Sequence, residues 1–227
     1  MNYRNSISKL ILILLFSFIY ESGMSQQKQT NDYTALVSLF KEWRSFEKPP
    51  LLKGAPDYTA VSFNKRWPAF KNLQSRLNGI DTSSLSVEQK VDWMLVWAEM
   101  NGYDFNHRVL KPWNRDPAFY KTIFTERSDV PAHEGPTHHA IVDLWKYTFP
   151  LSAADKNTLI DQLKVIAPLN EQARLNLTGN AKELWIAGIN DIKSQKGDLI
   201  ELLEKPGIKE DASLQKLIDQ SIVSTEK

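Results

Sequence analysis

Apolar residues recur at helical spacing along most of the chain, and proline, glycine and capping residues cut that pattern into segments. Tyr33, Leu36, Val37, Phe40 and Trp43 fall on one helical face. Pro49-Pro50 and Gly54-Ala55-Pro56 end this helix and mark a connector. A second helix is expected from Asp57 to Asn78-Gly79, with Pro68 kinking or dividing it. Ser86, followed three residues later by Gln89, forms a capping box for a third helix. Its predicted inner face is Val91, Met94, Leu95, Ala98, Gly102, Phe105 and Val109. Trp93, Val96, Trp97 and Met100 make another side apolar as well, which marks a central helix.

Residues 110–136 carry Pro112, Pro117, Pro131, Gly135 and Pro136 and are the least regular part. Within them Asp116-Pro117 reads as an N-cap followed by proline at the first helical position, opening a short helix through Phe124. A helix is expected from Pro136 to Tyr147, and Ser152 caps a longer one, interrupted near Pro168 and resuming to Leu177. Thr178-Gly179-Asn180 is a turn, and Asn180 with Glu183 starts the helix carrying Trp185, Ile186 and Ile189. After a break at Lys205-Pro206-Gly207, residues 211–227 place Leu214, Leu217, Ile218 and Ile222 on one side, a stripe expected to lack cover. With no strand alternation and no repeat, the fold class is all-α: an irregular multi-helix domain.

The N-terminus follows a different rule. Arg4 and Lys9 precede an apolar run from Leu10 to Phe16, carried past Ser17 to Tyr20. As a helix this run spans about 16 Å, too short for a hydrocarbon core of ~30 Å. Gly23 and Ser25 are small at the −3 and −1 positions of a cleavage after Ser25. Residues 1–25 are therefore read as a signal peptide, and 26–227 as a single helical domain, exported to the periplasm or secreted. No cysteine follows the run, so a lipoprotein anchor is excluded, and no membrane attachment is expected after cleavage.

Charge and composition narrow the chemistry. The 227 residues hold 28 Lys+Arg against 27 Asp+Glu and no cysteine. Near-neutral charge gives no footprint for nucleic acid or anionic lipid, and the missing thiols remove disulfides, thiolate nucleophiles and Cys-ligated metals. The cluster His133, His138 and His139 suggests zinc, but the five- and six-residue intervals do not align two imidazoles on a helix as a zincin does, and Gly135-Pro136 intervenes. No metal ligand, cofactor-binding or catalytic residue is assigned. The carboxylates Glu88, Asp92 and Glu99 on the third helix are expected in ion pairs, with Arg108 and Arg115 near in sequence, and Asp104 with Arg108 at i,i+4. Of the tryptophans Trp93, Trp97, Trp113, Trp145 and Trp185, most are expected in the core. Trp113 is the exception: it sits in the irregular segment beside Arg115 and Asp116, and these three are the candidates for lining a cleft.

Several stretches in order carry a family likeness: Val91-Asp92-Trp93; Ala98-Glu99-Met100-Asn101-Gly102-Tyr103-Asp104-Phe105; Arg108-Val109-Leu110-Lys111-Pro112-Trp113; Arg115-Asp116-Pro117-Ala118-Phe119-Tyr120; Ser128-Asp129-Val130-Pro131; and Asn176-Leu177-Thr178-Gly179-Asn180-Ala181. Over residues 33–190 the chain resembles the N-terminal part of the bacterial domain-of-unknown-function 885 family, exported helical proteins similar to zinc metallopeptidases. Members of that family are typically more than twice this length, with the zinc-binding His-Glu motif in their C-terminal half. This sequence contains no His-Glu-x-x-His, and His133-Glu134 is not that motif. The resemblance implies a helical fold, export and one wall of a peptidase-like cleft, with no zinc on this chain. It also implies inactivity alone, and as partner the C-terminal catalytic half. The alternative is a self-sufficient exported module that binds a peptide-like ligand or a protein. A third reading is an enzyme using the local histidines and carboxylates.

Overall fold

The computed structural model describes residues 32–127 and 140–227. Residues 1–25, read above as a signal peptide, and His133, His138 and His139 lie outside the described residues. Helices dominate: α1 (32–47), α2 (Ala60–Asn78), α3 (Val87–Phe105), α4 (Pro112–Arg115), α5 (Ala153–Leu163), α6 (Ile166–Asn176), α7 (Lys182–Leu203) and α8 (Ala212–Glu226). The strands β1 (Leu51–Leu52), β2 (Ala55–Pro56), β3 (Ile123–Phe124) and β4 (Val142–Asp143) are two residues each, too short to show alternation, so the all-α expectation holds. The described residues form two compact units, one from 32–46 and Ala69–Asn101, the other from Glu47–Pro68, 102–127 and 140–227.

In the first unit the face that the spacing of α1 predicts is only partly buried: Leu36 and Trp43 are buried together with Leu39, which that face left out, while Tyr33 and Phe40 are half-buried and Val37 is exposed. Phe70, Leu73 and Leu77 of α2 and Val96 and Met100 of α3 are buried as well. Trp43 stacks on Phe46 with ring centres 5.8 Å apart. The capping box forms reciprocally, Gln89 N–H donating to Ser86 Oγ at 3.3 Å and Ser86 N–H to Gln89 Oε1 at 3.0 Å.

The rotation of α3 corrects the sequence expectation. Val91, Met94 and Leu95 are 50%, 59% and 60% exposed, while Val96 and Met100 on the opposite side are 5% and 0%. Both sides are apolar, so hydrophobicity alone does not choose between them. Polar anchors do. Tyr33 donates to Asp92 Oδ2 at 2.8 Å, and Trp43 Nε1 and Arg44 donate to Glu99 at 3.0 and 2.7 Å, turning those acids toward α1. Trp93 Nε1 donates to the Leu77 carbonyl of α2 at 3.0 Å. Asp92 and Glu99 are therefore engaged by α1 and Glu88 by the Ser86 hydroxyl at 2.8 Å, while Arg108 pairs with Asp104 as expected.

Other differences have local causes. α2 begins at Ala60 because Asp57 orders the turn ahead of it, accepting from Thr59 N–H at 3.0 Å, and Thr59 Oγ1 then accepts from Ser62 N–H at 3.2 Å. Pro68 does not break the helix: the carbonyl it deprives of a partner belongs to Asn64, an exposed position open to solvent. The division between the units nonetheless falls at Pro68–Ala69. The connector holds a tight hairpin, β1 antiparallel to β2, turned by Lys53 (φ 54°) and Gly54 (φ 85°).

In the second unit, Ser152 caps α5, and the chain breaks at Lys164–Val165, leaving Pro168 in the tolerant first turn of α6. α7 starts without a side-chain cap, so Asn180 does not serve as one. Residues 142–146 are β4 and a short 3₁₀ turn, not the end of a helix. Asp116 does cap Pro117–Tyr120, accepting from Ala118 N–H at 2.9 Å, but that 3₁₀ turn ends at Tyr120. The chain leaves it because Gln195 of α7, fully buried, accepts from Thr122 N–H at 2.6 Å and Ile123 N–H at 3.0 Å. Ile123 then pairs in parallel with Val142.

The stripe on α8 is covered, contrary to expectation. Leu214 and Ile218 are fully buried in a core with Leu159 and Leu163 of α5 and Leu199 and Leu202 of α7. A second core joins Ala55, Tyr58, Phe63, Trp113, Phe119, Tyr120, Leu169 and Ala173. Gln172 ties it to the hairpin, accepting from Tyr58 N–H at 3.0 Å and donating to the Pro56 carbonyl at 2.9 Å. Gln172→Leu should keep the helical circular dichroism yet lose about 2–4 kcal/mol of stability, since two buried backbone groups lose their partners. An unfolding free energy from urea titration within about 0.5 kcal/mol of wild type would show that water replaces the amide.

Candidate functional site

The three cleft candidates occupy a strained corner of the second unit. After α3 the helix widens into a π turn, Asn106–Leu110, and ends at Lys111, whose left-handed backbone (φ 45°) redirects the chain into α4. Pro112 occupies the first position of α4, and Trp113 swings inward. Trp113 is 7% exposed and stacks on Phe63 with centres 4.0 Å apart, so it is a core side chain and not the exposed exception. Arg115 is half-buried with its Nε lacking a hydrogen bond, and its stem lies where a side chain on Gly179 would stand: a Cβ there would come within 2.6 Å of Arg115 Cγ. Asp116 works as the cap described above. Burial raises its pKa, the Ala118 N–H opposes the rise, and the Asp191 charge adds to it. None of the three borders the cavities described below.

What this corner assembles is a nest of rings around His107. Its imidazole stacks on Trp67 (4.3 Å, 12°) and lies parallel to Tyr103 (6.2 Å, 12°), with Phe63 edge-on at 5.5 Å. His107 Nδ1 is buried without a hydrogen-bond partner. Burial lowers the His107 pKa first, Lys111 and Arg108 lower it further, and Asp104 opposes them. Held among rings, the imidazole serves as a packing element of this corner. Among the described residues no three His, Asp or Glu side chains gather as a metal-holding group. No described helix is long and apolar enough to cross a membrane.

Among the described residues, besides an open cavity of about 800 Å³ between the start of α6 and α8, two grooves offer room for a ligand. In the first unit a groove of about 360 Å³ runs between α1 and α3, lined by Leu36, Val37, Phe40, Leu95 and Val96 and edged by Asp92 and Glu99. In the second unit a larger groove of about 630 Å³ lies among α6, α7 and the last turn of α8. Trp185, Ile189 and Ile192 form its apolar wall, and Arg174, Lys193 and Lys196 its cationic one. Trp185 Nε1 donates to the Gly179 carbonyl at 3.0 Å, which fixes the indole. Of the tryptophans considered from sequence, Trp185 borders this cavity and Trp113 does not. The signal that could have found it is the spacing Trp185, Ile189, Ile192, Lys193, Lys196, which places five side chains on one face of α7.

The His107 nest has a pH signature. A histidine whose folded pKa lies below its ordinary value of 6.5 adds stability that is complete above that value and fades as pH falls toward the folded one. Urea midpoints at pH 7 and pH 5 should therefore differ more for wild type than for His107→Phe. Equal slopes in the two proteins would mean that His107 titrates as if exposed.

No protein-family model, no curated protein and no solved structure matches this chain.

Proposed function

We propose that the chain is an exported, non-catalytic helical module that works by binding another polypeptide on the outward face of α3. The observation that carries this is the apolar face itself. Val87, Val91, Met94, Leu95 and Ala98 are all exposed, share one side of the helix and lie in one unit. Glu88 and Asp92 line one edge of the stripe and Lys90 the other, a polarity that would orient a partner. Covering one such side chain is worth about 1.5–3 kcal/mol, and a bare stripe of this kind invites association.

The resemblance set out above supplies the partner: the zinc-bearing catalytic half of a metallopeptidase-like protein. The non-catalytic part of the proposal rests on the sequence, which lacks the His-Glu-x-x-His motif. A second reading, a self-sufficient peptide-binding module, draws on a separate feature, the groove among α6, α7 and α8.

The test pairs wild type with a Val91→Glu/Leu95→Glu variant. Wild type should bind a hydrophobic dye and self-associate, and hydrolyse no peptide with zinc added. The variant should lose dye binding and self-association while its stability stays within about 0.5 kcal/mol, both positions being exposed. A dye-silent wild-type monomer, or chelator-sensitive hydrolysis by this chain alone, would overturn the proposal.

A further inference from the structure

The groove of the second unit carries chemistry that α3 does not. Along α7 its wall passes from Trp185 and Ile189 to Lys193 and Lys196 over about 16 Å. Arg174, Lys193, Lys196 and Lys227 line the groove with one side-chain carboxylate among the described residues, Glu226. Lys196 is held by Glu226 at 2.5 Å and Arg174 leans on Glu171 at 3.3 Å, whereas Lys193 has no carboxylate partner among the described residues. The groove thus offers an apolar end and a cationic end that is not neutralised from within.

Its third side is polar and fixed. Asn170 donates to Ser224 Oγ at 3.0 Å and Thr225 Oγ1 at 3.2 Å, tying the last turn of α8 to α6. Both hydroxyls donate to the Ser221 carbonyl, at 2.9 and 2.8 Å. Each oxygen therefore keeps one unused lone pair, suited to an incoming N–H. A peptide backbone provides such donors; a fatty-acid chain, which would also match an apolar end and a carboxylate, does not.

We infer that this groove binds an extended peptide segment of about five residues, with a bulky apolar side chain against Trp185 and Ile189 and a carboxylate at Lys193 and Arg174. The binding is independent of the α3 face, so either can fail without the other.

The experiment is a nuclear magnetic resonance titration of the ¹⁵N-labelled chain, read at the indole N–H of Trp185, which a Trp185→Phe variant assigns. The probes are a blocked pentapeptide with phenylalanine first, three alanines and glutamate last; the same peptide ending in glutamine; the glutamine peptide with a free C-terminal acid; and laurate. Both carboxylate peptides should shift the Trp185 signal at concentrations at least about tenfold below the blocked glutamine peptide, and Lys193→Glu should abolish that advantage. Lys193 is exposed, so the variant's unchanged spectrum elsewhere serves as the folding control. Equal response to the glutamate and blocked glutamine peptides, a stronger response to laurate than to either carboxylate peptide, or no shift up to roughly 1 mM would overturn the assignment.

Discussion

Buried amide side chains hold the second unit together. Beside the two short ladders, the segments around Pro56–Tyr58 and residues 113–123 bring further backbone N–H and carbonyl groups into the interior that no ladder receives. Gln172 and Asn176 of α6 and Gln195 of α7 supply the partners: Gln172 for Tyr58 and Pro56, Asn176 for the Tyr58 carbonyl and Tyr120 hydroxyl, Gln195 for Thr122 and Ile123. Tyr120 passes the network on to the Trp113 carbonyl at 2.7 Å, and Asn114 closes it on Asn176 and Thr178. Gln195 leaves its own Nε2 without a partner, so two bonded backbone groups and the Thr122 hydroxyl outweigh one idle donor. Close approach completes the arrangement: a Cβ on Gly188 would come within 2.7 Å of the Ala118 nitrogen, so α7 meets the 3₁₀ turn only as glycine.

This network bears on the candidate site. By fixing residues 111–123 it keeps Trp113 inward against Phe63 and closes the ring nest about His107. The same packing seats α7 so that Trp185, Ile189 and Lys193 face α6 and the end of α8 rather than the core. The groove is thus the outer side of the elements whose inner side the amides lock. In the first unit, hydrogen bonds from α1 to Asp92 and Glu99 perform the corresponding task and leave the second apolar side of α3 outward.

Features governed by neighbours in sequence were legible from it. The Ser86/Gln89 box, the Ser152 cap and the Asp116-Pro117 start form as read, because each depends on a few consecutive residues. Features governed by distant partners were not. The face of α3 depended on Tyr33, Trp43 and Arg44, more than fifty residues away, against a helix apolar on both sides. The burial of Trp113 depended on the left-handed Lys111 and on Phe63, neither marked in the spacing. Leu214 and Ile218 found cover within the second unit, in a core drawn from α5, α6, α7 and residues such as Ile123 and Ile208, so an amphipathic segment late in the chain was no sign of a missing partner. Of the candidate site, Trp185 was visible as an aromatic on a helix, but its cavity required Ser224 and Thr225 of α8.

The central claim is that α3 carries a polypeptide-binding face whose partner is a zinc-bearing catalytic half. Photo-crosslinking from position 95, with a photoreactive amino acid in place of Leu95 in the cells that produce the protein, tests it most directly. The account predicts an adduct, identified by mass spectrometry, with a polypeptide containing the His-Glu zinc motif, and none from the exposed control position Lys71. No adduct at position 95, or equal adducts from both positions, would contradict it.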